Sequence, residues 1–167
     1  MSGFNAEYHR APVGKTTDIW LTPRHIVEDL GPFDLDPCAA PEPQPWPTAT
    51  KHIPSDGLNV NWEGFVWLNP PYSDAASWLS RLAHHDGGGI ALIFARTETR
   101  MFFESVWPKC SGLLFIRGRL RFCRPDGEPA KFVSGAPSVL IGYGNEALSR
   151  LARSRIDGKL IACGNQP

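Results

Sequence analysis

The sequence predicts an α/β fold, a mostly parallel sheet with an antiparallel edge strand. Two observations predict it. Short apolar runs of strand length alternate with segments of helical period along most of the chain, as in a parallel sheet built through crossover helices. Late in the chain, two strands follow one another with no helix between them, which adds an antiparallel pair. A length of 167 residues with 42% hydrophobic content fits one domain large enough to bury a core. The expected division is a flexible polar arm over residues 1–17 and a single domain over 18–167. No internal repeat interrupts it.

In chain order, Ile19-Trp20-Leu21 leads into Thr22-Pro23, read as a helix N-cap followed by proline at the first helical position. The helix runs through Leu30, where Gly31-Pro32 stops it. Residues 33–36 alternate as a short strand that delivers Asp36 to its carboxyl end, ahead of Pro37 and Cys38. An aspartate there can pair with a ligand's ammonium group or begin an Asx-turn before proline, and spacing alone leaves both readings open. Residues 39–54 contain Pro41, Pro43, Pro45, Pro47 and Pro54, so this segment reads as a loop anchored by Trp46, with a brief strand over 48–53. Asp56 sits in a turn with Gly57.

The central feature is Asn69-Pro70-Pro71-Tyr72, directly after the apolar run Phe65-Val66-Trp67-Leu68. That run reads as a buried strand. A residue before proline is driven toward extended backbone, and each proline fixes its own φ and removes a donor. The outcome is a rigid tip bearing an amide side chain and a prolyl carbonyl as neighbouring acceptors. An exocyclic amine offers two matching hydrogens, and the Tyr72 ring can stack on a heterocycle, worth about 1–3 kcal/mol per base. The competing reading is an ordinary strand-to-loop turn. Position favours the first, because open α/β sheets bind ligands beyond the carboxyl ends of their strands.

Ser73 is read as the cap of a helix over 74–84, ended by Gly87-Gly88-Gly89. The glycines precede a strand over 90–94 rather than a helix, so they do not form a phosphate-binding loop. His84 and His85 read as exposed helix-end residues. After Arg96-Thr97-Glu98-Thr99 comes a helix over 100–106, then a strand from Gly112 on to Phe122. In its second half Arg117, Arg119 and Arg121 alternate with Gly118, Leu120 and Phe122, giving a cationic face and a core face. Pro125-Asp126-Gly127 breaks that strand, residues 137–143 form the last one, and a terminal helix covers 146–154.

Composition narrows the function classes. The chain has no apolar stretch near the length of about 18 residues that suggests a membrane span, and no apolar signal region at its amino terminus. The expectation is a soluble, cytoplasmic protein. Cys38, Cys110, Cys123 and Cys163 lack metal-ligand spacing, which speaks against a zinc site and a disulfide framework. Formal net charge is zero, yet residues 1–75 hold 4 Lys/Arg against 10 Asp/Glu and residues 76–167 hold 13 against 7. A local positive field can steer a polyanion although the total is nil, while any one arginine is equally well read as part of a solvated face.

These residues in this order resemble the phage-type DNA N6-adenine methyltransferases of the Dam family. The likeness runs from Trp20 to Tyr143. It is carried by Trp20-Leu21-Thr22-Pro23, Leu35-Asp36-Pro37-Cys38-Ala39, Asp56-Gly57-Leu58, Trp62-Glu63-Gly64, the run from Val66 to Tyr72, Arg96-Thr97-Glu98-Thr99 and the run from Phe115 to Phe122. The resemblance implies a Rossmann-like sheet that binds S-adenosylmethionine and acts on DNA. It implies a catalytic tip at Asn69, Pro70, Pro71 and Tyr72. Cofactor contacts would come from Trp20, Thr22, Pro23, Asp36, Pro37, Cys38, Asp56 and Asn69, with Asp56 near the adenosine part. Arg96, Arg117, Arg119 and Arg121 would hold nucleic acid, and no metal is implied. One departure stands out: Pro-Cys-Ala-Ala-Pro follows Asp36 where a glycine-rich loop is expected. Rival readings are a methyltransferase for RNA or a protein glutamine, and a catalytically silent nucleic-acid-binding module. Target sequence and oligomeric state are not legible.

Overall fold

The computed structural model describes residues 19–164, so the expected amino-terminal arm lies outside the described residues. Among the described residues seven strands form one sheet. In chain order they are β1 (Leu35–Asp36), β2 (Lys51–His52), β3 (Val66–Leu68), β4 (Gly89–Phe94), β5 (Gly112–Ile116), β6 (Ser138–Tyr143) and β7 (Gly158–Ala162). The helices are α1 (Arg24–Leu30), α2 (Ala75–Ala83) and α3 (Asn145–Arg153). A wide helical turn spans Phe102–Val106, where the Trp107 N–H reaches back five residues to the Phe102 carbonyl at 2.9 Å.

Pleating sends successive side chains to opposite faces, and each face of the sheet has its own core. Val66, Leu68, Ala91, Ile93, Val139 and Ile141 pack on α2 and the wide turn through Leu79, Leu82, Phe102 and Val106. Trp67, Ile90, Leu92 and Leu140 face the other way, onto Ile26, Val27 and Leu30 of α1 and Ala147 and Leu151 of α3. Both faces are covered, which is why these strands read as continuous apolar runs.

The strand order is β2-β1-β3-β4-β6-β5-β7. β2, β1, β3 and β4 pair in parallel, whereas β4/β6, β6/β5 and β5/β7 pair antiparallel. The expected mostly parallel sheet with one antiparallel edge is therefore corrected: half the pairings are antiparallel, and β6 lies inside the sheet between β4 and β5. The antiparallel edge is β7, which the sequence reading missed because its Leu160 and Ile161 stand among exposed neighbours with no alternation to mark them.

Three further expectations change. Pro23, not Thr22, occupies the N-cap of α1, so the helix starts at Arg24 and the Thr22 hydroxyl caps nothing. A 3-10 turn over Tyr72–Asp74 precedes α2, which begins at Ala75 without a cap from Ser73. β5 ends at Ile116 instead of running on to Phe122, because Gly118 takes a φ of 75° and turns the chain out of the sheet. The alternation beyond it survives without a strand: Leu120 and Phe122 are buried, while Arg117, Arg119 and Arg121 are exposed.

Candidate active site

Parallel strands β1, β3 and β4 are neighbours and end on the same side, so their carboxyl tips converge. β1 contributes Asp36, the residue after β3 is Asn69, and β4 ends on Phe94. The segment before α1 is tied into the same region by a two-way pairing of Leu21 and Cys123, with both N–H to carbonyl distances 2.9 Å. Between these elements lies a cavity of about 420 Å³, with Trp20, Thr22, Asp36, Cys38, Asn69 and Tyr72 in its lining.

Asp36 is 4% exposed. Its Oδ1 accepts the Cys38 N–H at 3.0 Å and its Oδ2 accepts the Thr48 hydroxyl. Burial raises its pKa to about 6 against the lowering effect of those hydrogen bonds. A carboxyl in this condition gains strongly from a cationic partner. The first hydrogen bond is the Asx-turn that spacing allowed, and the same carboxyl belongs to the cavity wall. Thr22, 2% exposed, also lines the cavity, and its hydroxyl has no hydrogen-bond partner among the described residues. A buried hydroxyl without a protein partner carries a cost in stability. The Cys38 thiol is pushed up to about 12 by burial and by the Asp36 charge, so it lines the wall as a neutral group.

At the tip, Asn69 Nδ2 donates to the Trp20 carbonyl at 3.2 Å. A carbonyl only accepts, so the amide is oriented with Oδ1 turned away from it. Among the described residues nothing donates to Asn69 Oδ1 or to the Pro70 carbonyl, whereas the Pro71 carbonyl takes the Asp74 N–H at 3.1 Å. Two adjacent acceptors are therefore left open at a rigid backbone. Tyr72 stacks on Phe94 with ring centroids 4.0 Å apart and planes 11° apart. One face of the tyrosine is thus covered, and the residue stays 45% exposed.

Tyr72 and Trp20 also line a second cavity, of about 340 Å³, with Phe94, Phe122, Lys131 and Phe132. The two cavities meet at that aromatic pair. Sequence reasoning missed this aromatic pocket. Phe94 was recoverable as the terminal residue of a strand beside the tip. Phe132 was not, since it sits in an irregular loop with no periodicity.

The remaining predicted residues are placed less centrally. Pro23 and Pro37 flank the first cavity without lining it, and Asp56 is exposed, outside the lining, in a left-handed conformation with φ 56°. The arginines do not form the cationic strand face that was expected, because that strand ends early. Arg117 pairs with Asp157 at 3.2 Å. Arg121 donates to the carbonyls of Ala130 and Lys131 at 3.3 and 3.4 Å, and Arg119 leans toward the Ser134 carbonyl at 3.5 Å. These two brace the loop that walls the aromatic cavity. Arg96 is exposed two residues beyond Phe94.

No curated protein matches the chain. A family model described as DNA N-6-adenine-methyltransferase (Dam) matches residues 12–145, a span that contains the strand tips, both cavities and the loop between β5 and β6. With most of its length matched, this chain belongs to the Dam family of DNA N-6-adenine methyltransferases.

Proposed function

We propose that the chain transfers a methyl group from S-adenosylmethionine to N6 of an adenine flipped out of duplex DNA, with Asn69-Pro70-Pro71-Tyr72 as the catalytic tip. The observation that carries this reading is the open acceptor pair, Asn69 Oδ1 and the Pro70 carbonyl, held beside a cavity with a buried carboxyl. Residues 18–167 act as one methyltransferase domain with a Rossmann-like sheet. The central parallel strands, covered by helices on both faces, support that assignment.

The first cavity fits the cofactor on the chemistry of its donors. Asp36 suits an ammonium, the unpaired Thr22 hydroxyl suits a carboxylate, and Trp20 and Cys38 supply apolar wall. When bound, S-adenosylmethionine supplies an electrophilic methyl on a sulfonium. The chain's own part is to hold and polarise the amine. An adenine amino group is a poor nucleophile because its lone pair is delocalised into the ring. Acceptance of both N–H bonds by Asn69 and Pro70 concentrates that lone pair on nitrogen, and the rigid prolines hold the acceptors in place before the reaction. The proton is lost after transfer, so no base is required beforehand.

The aromatic cavity suits the flipped base, with the open face of Tyr72 as its stacking partner. Extrusion costs a few kcal/mol, and stacking offsets part of it. Arg96, Arg117, Arg119 and Arg121 serve phosphates.

Single-turnover methylation of adenine-containing duplexes, with product nucleosides identified by mass, tests the proposal. Asn69→Ala is expected to slow transfer by about a hundredfold or more with cofactor affinity little changed, as for loss of an acceptor that acts during reaction. Asn69→Asp keeps an acceptor oxygen and should retain much more activity. Adenine methylation by Asn69→Ala at the parental rate would mean the tip is only a turn.

A further inference from the structure

The cofactor cavity has one wall with an unusual construction. Residues 40–49 carry Pro41, Pro43, Pro45 and Pro47, and prolines donate no backbone hydrogen bond. No backbone-to-backbone hydrogen bond from this segment occurs among the described residues. Ala40, Pro41, Gln44 and Thr48 nevertheless line the cavity. Something other than the backbone must hold them there.

The bonds that do fix the segment converge on His52. Its Nε2 lies 3.2 Å from the N–H of Thr48 and 3.2 Å from the N–H of Ala49. A ring nitrogen that accepts from two backbone donors carries no proton, so the proton is on Nδ1, which donates to Glu42 Oε1 at 2.7 Å. The other Glu42 oxygen accepts the Gln44 N–H at 2.9 Å, and Gln44 Nε2 donates to the Ala40 carbonyl at 2.7 Å. His52 stands on β2 in register with Asp36 on β1, so the sheet itself sets the distance between them. The loop returns the Thr48 hydroxyl to Asp36 Oδ2.

We propose that His52 is a positioning residue for the cofactor cavity. Its imidazole, held in one tautomer by Glu42, pins the backbone of Thr48 and Ala49. The proline-rich wall thereby stays closed, and the Thr48 hydroxyl stays on one oxygen of Asp36. With that oxygen occupied and the other on the Cys38 N–H, the carboxyl cannot rotate, and its remaining lone pairs keep a fixed direction into the cavity. Asp36 is thereby aimed as well as buried. The inference rests on the reading of this cavity as the S-adenosylmethionine site.

The experiment is a titration of the purified full chain with S-adenosylmethionine by calorimetry, with thermal unfolding recorded for each variant. His52→Ala is expected to weaken affinity about tenfold, and Thr48→Val about as much, each removing one link of the same chain of bonds. The combined variant should then be no worse than Thr48→Val alone, since links in series do not add. His52→Gln places an acceptor oxygen near the Nε2 position and should recover affinity to within about threefold of the parent. Glu42→Ala, an exposed change remote from the core, tests the tautomer without endangering the fold and should weaken affinity in the same direction. Recovery by glutamine together with non-additivity supports the inference. Parental affinity in both His52→Ala and Glu42→Ala overturns it, as do fully additive losses. A parent chain that binds no cofactor overturns the cavity's assignment itself, a different outcome from a parent that binds and variants that match it.

Discussion

In the proposed site, Asp36 joins stability to cofactor binding through one proton. Its pKa is raised from an ordinary 3.8 to about 6, with burial the largest cause. Above pH 6 the carboxyl is ionised in both folded and unfolded chains, and the folded state bears the net penalty left after its hydrogen bonds offset part of the desolvation, on the order of 3 kcal/mol. Between pH 6 and 4 the folded chain takes up the proton first, so this group's penalty shrinks as pH falls and vanishes below the unfolded pKa. Asp36→Asn should therefore raise the melting temperature of the free protein at pH 7.5 by several degrees and leave it nearly unchanged at pH 4. Cofactor affinity should move the opposite way, weakened at least tenfold by the same substitution and, in the parent, falling as pH drops below about 6. Calorimetry and thermal melts across that range check both signs. Tyr72 gives a simpler expectation: burial pushes its hydroxyl up to about 12, so it stays neutral, and Tyr72→Phe should be mild because the ring that stacks on Phe94 remains.

Elements were legible where one residue type dictated the backbone. The central strand and its Asn-Pro-Pro tip were read directly, since proline restricts both itself and the residue before it. Asp36 was likewise placed at a strand end, and α2 was found within a few residues of its bounds. Illegible parts depend on contacts distant in sequence. Thr22 looked like a cap from its neighbours, yet tertiary packing buries it in the cavity wall and moves the cap to Pro23. The antiparallel insertion of β6 between β4 and β5 is a choice of partner that no local pattern records. Gly57 is another case: an added Cβ there would sit 1.7 Å from the Pro37 carbonyl oxygen, so glycine is what lets the turn at Gly57–Asn59 close on the loop after β1. Gly57→Ala must displace that loop, at a cost of about 1–3 kcal/mol or more. Denaturant titration should show the loss, and cofactor affinity should fall with it because Cys38 follows Pro37 into the cavity.

At the scale of the whole molecule the decisive fact is that zero net charge conceals a division along the chain, with an acidic first part and a basic second part. Family membership makes DNA the substrate, and DNA binding by lysine and arginine releases counterions, so affinity must fall steeply as salt rises. The structure ranks the arginines that contribute. Arg117 is already offset by Asp157, and Arg24 is offset by Glu28 on α1 at 2.7 Å. Among the described residues Arg119 and Arg121 hold only neutral carbonyls of the loop beside the aromatic cavity and pair with no carboxylate there, and they lie next to the proposed base pocket. Arg119→Ala and Arg121→Ala should each lower affinity for all duplexes roughly alike and reduce the slope of log affinity against log salt by about one. Arg117→Ala should change the slope less, and Arg24→Ala hardly at all. Phe132, 73% exposed at the rim of the same cavity, separates phosphate binding from base extrusion. Phe132→Ser should leave the salt slope intact while slowing methylation of a paired adenine more than of a mismatched one, which is already partly unstacked. Fluorescence anisotropy over a salt series, with matched and mismatched duplexes, measures both quantities on one set of samples. A salt-independent affinity, or equal slopes for Arg24→Ala and Arg119→Ala, would show that the basic stretch is a solvated face and that DNA enters elsewhere.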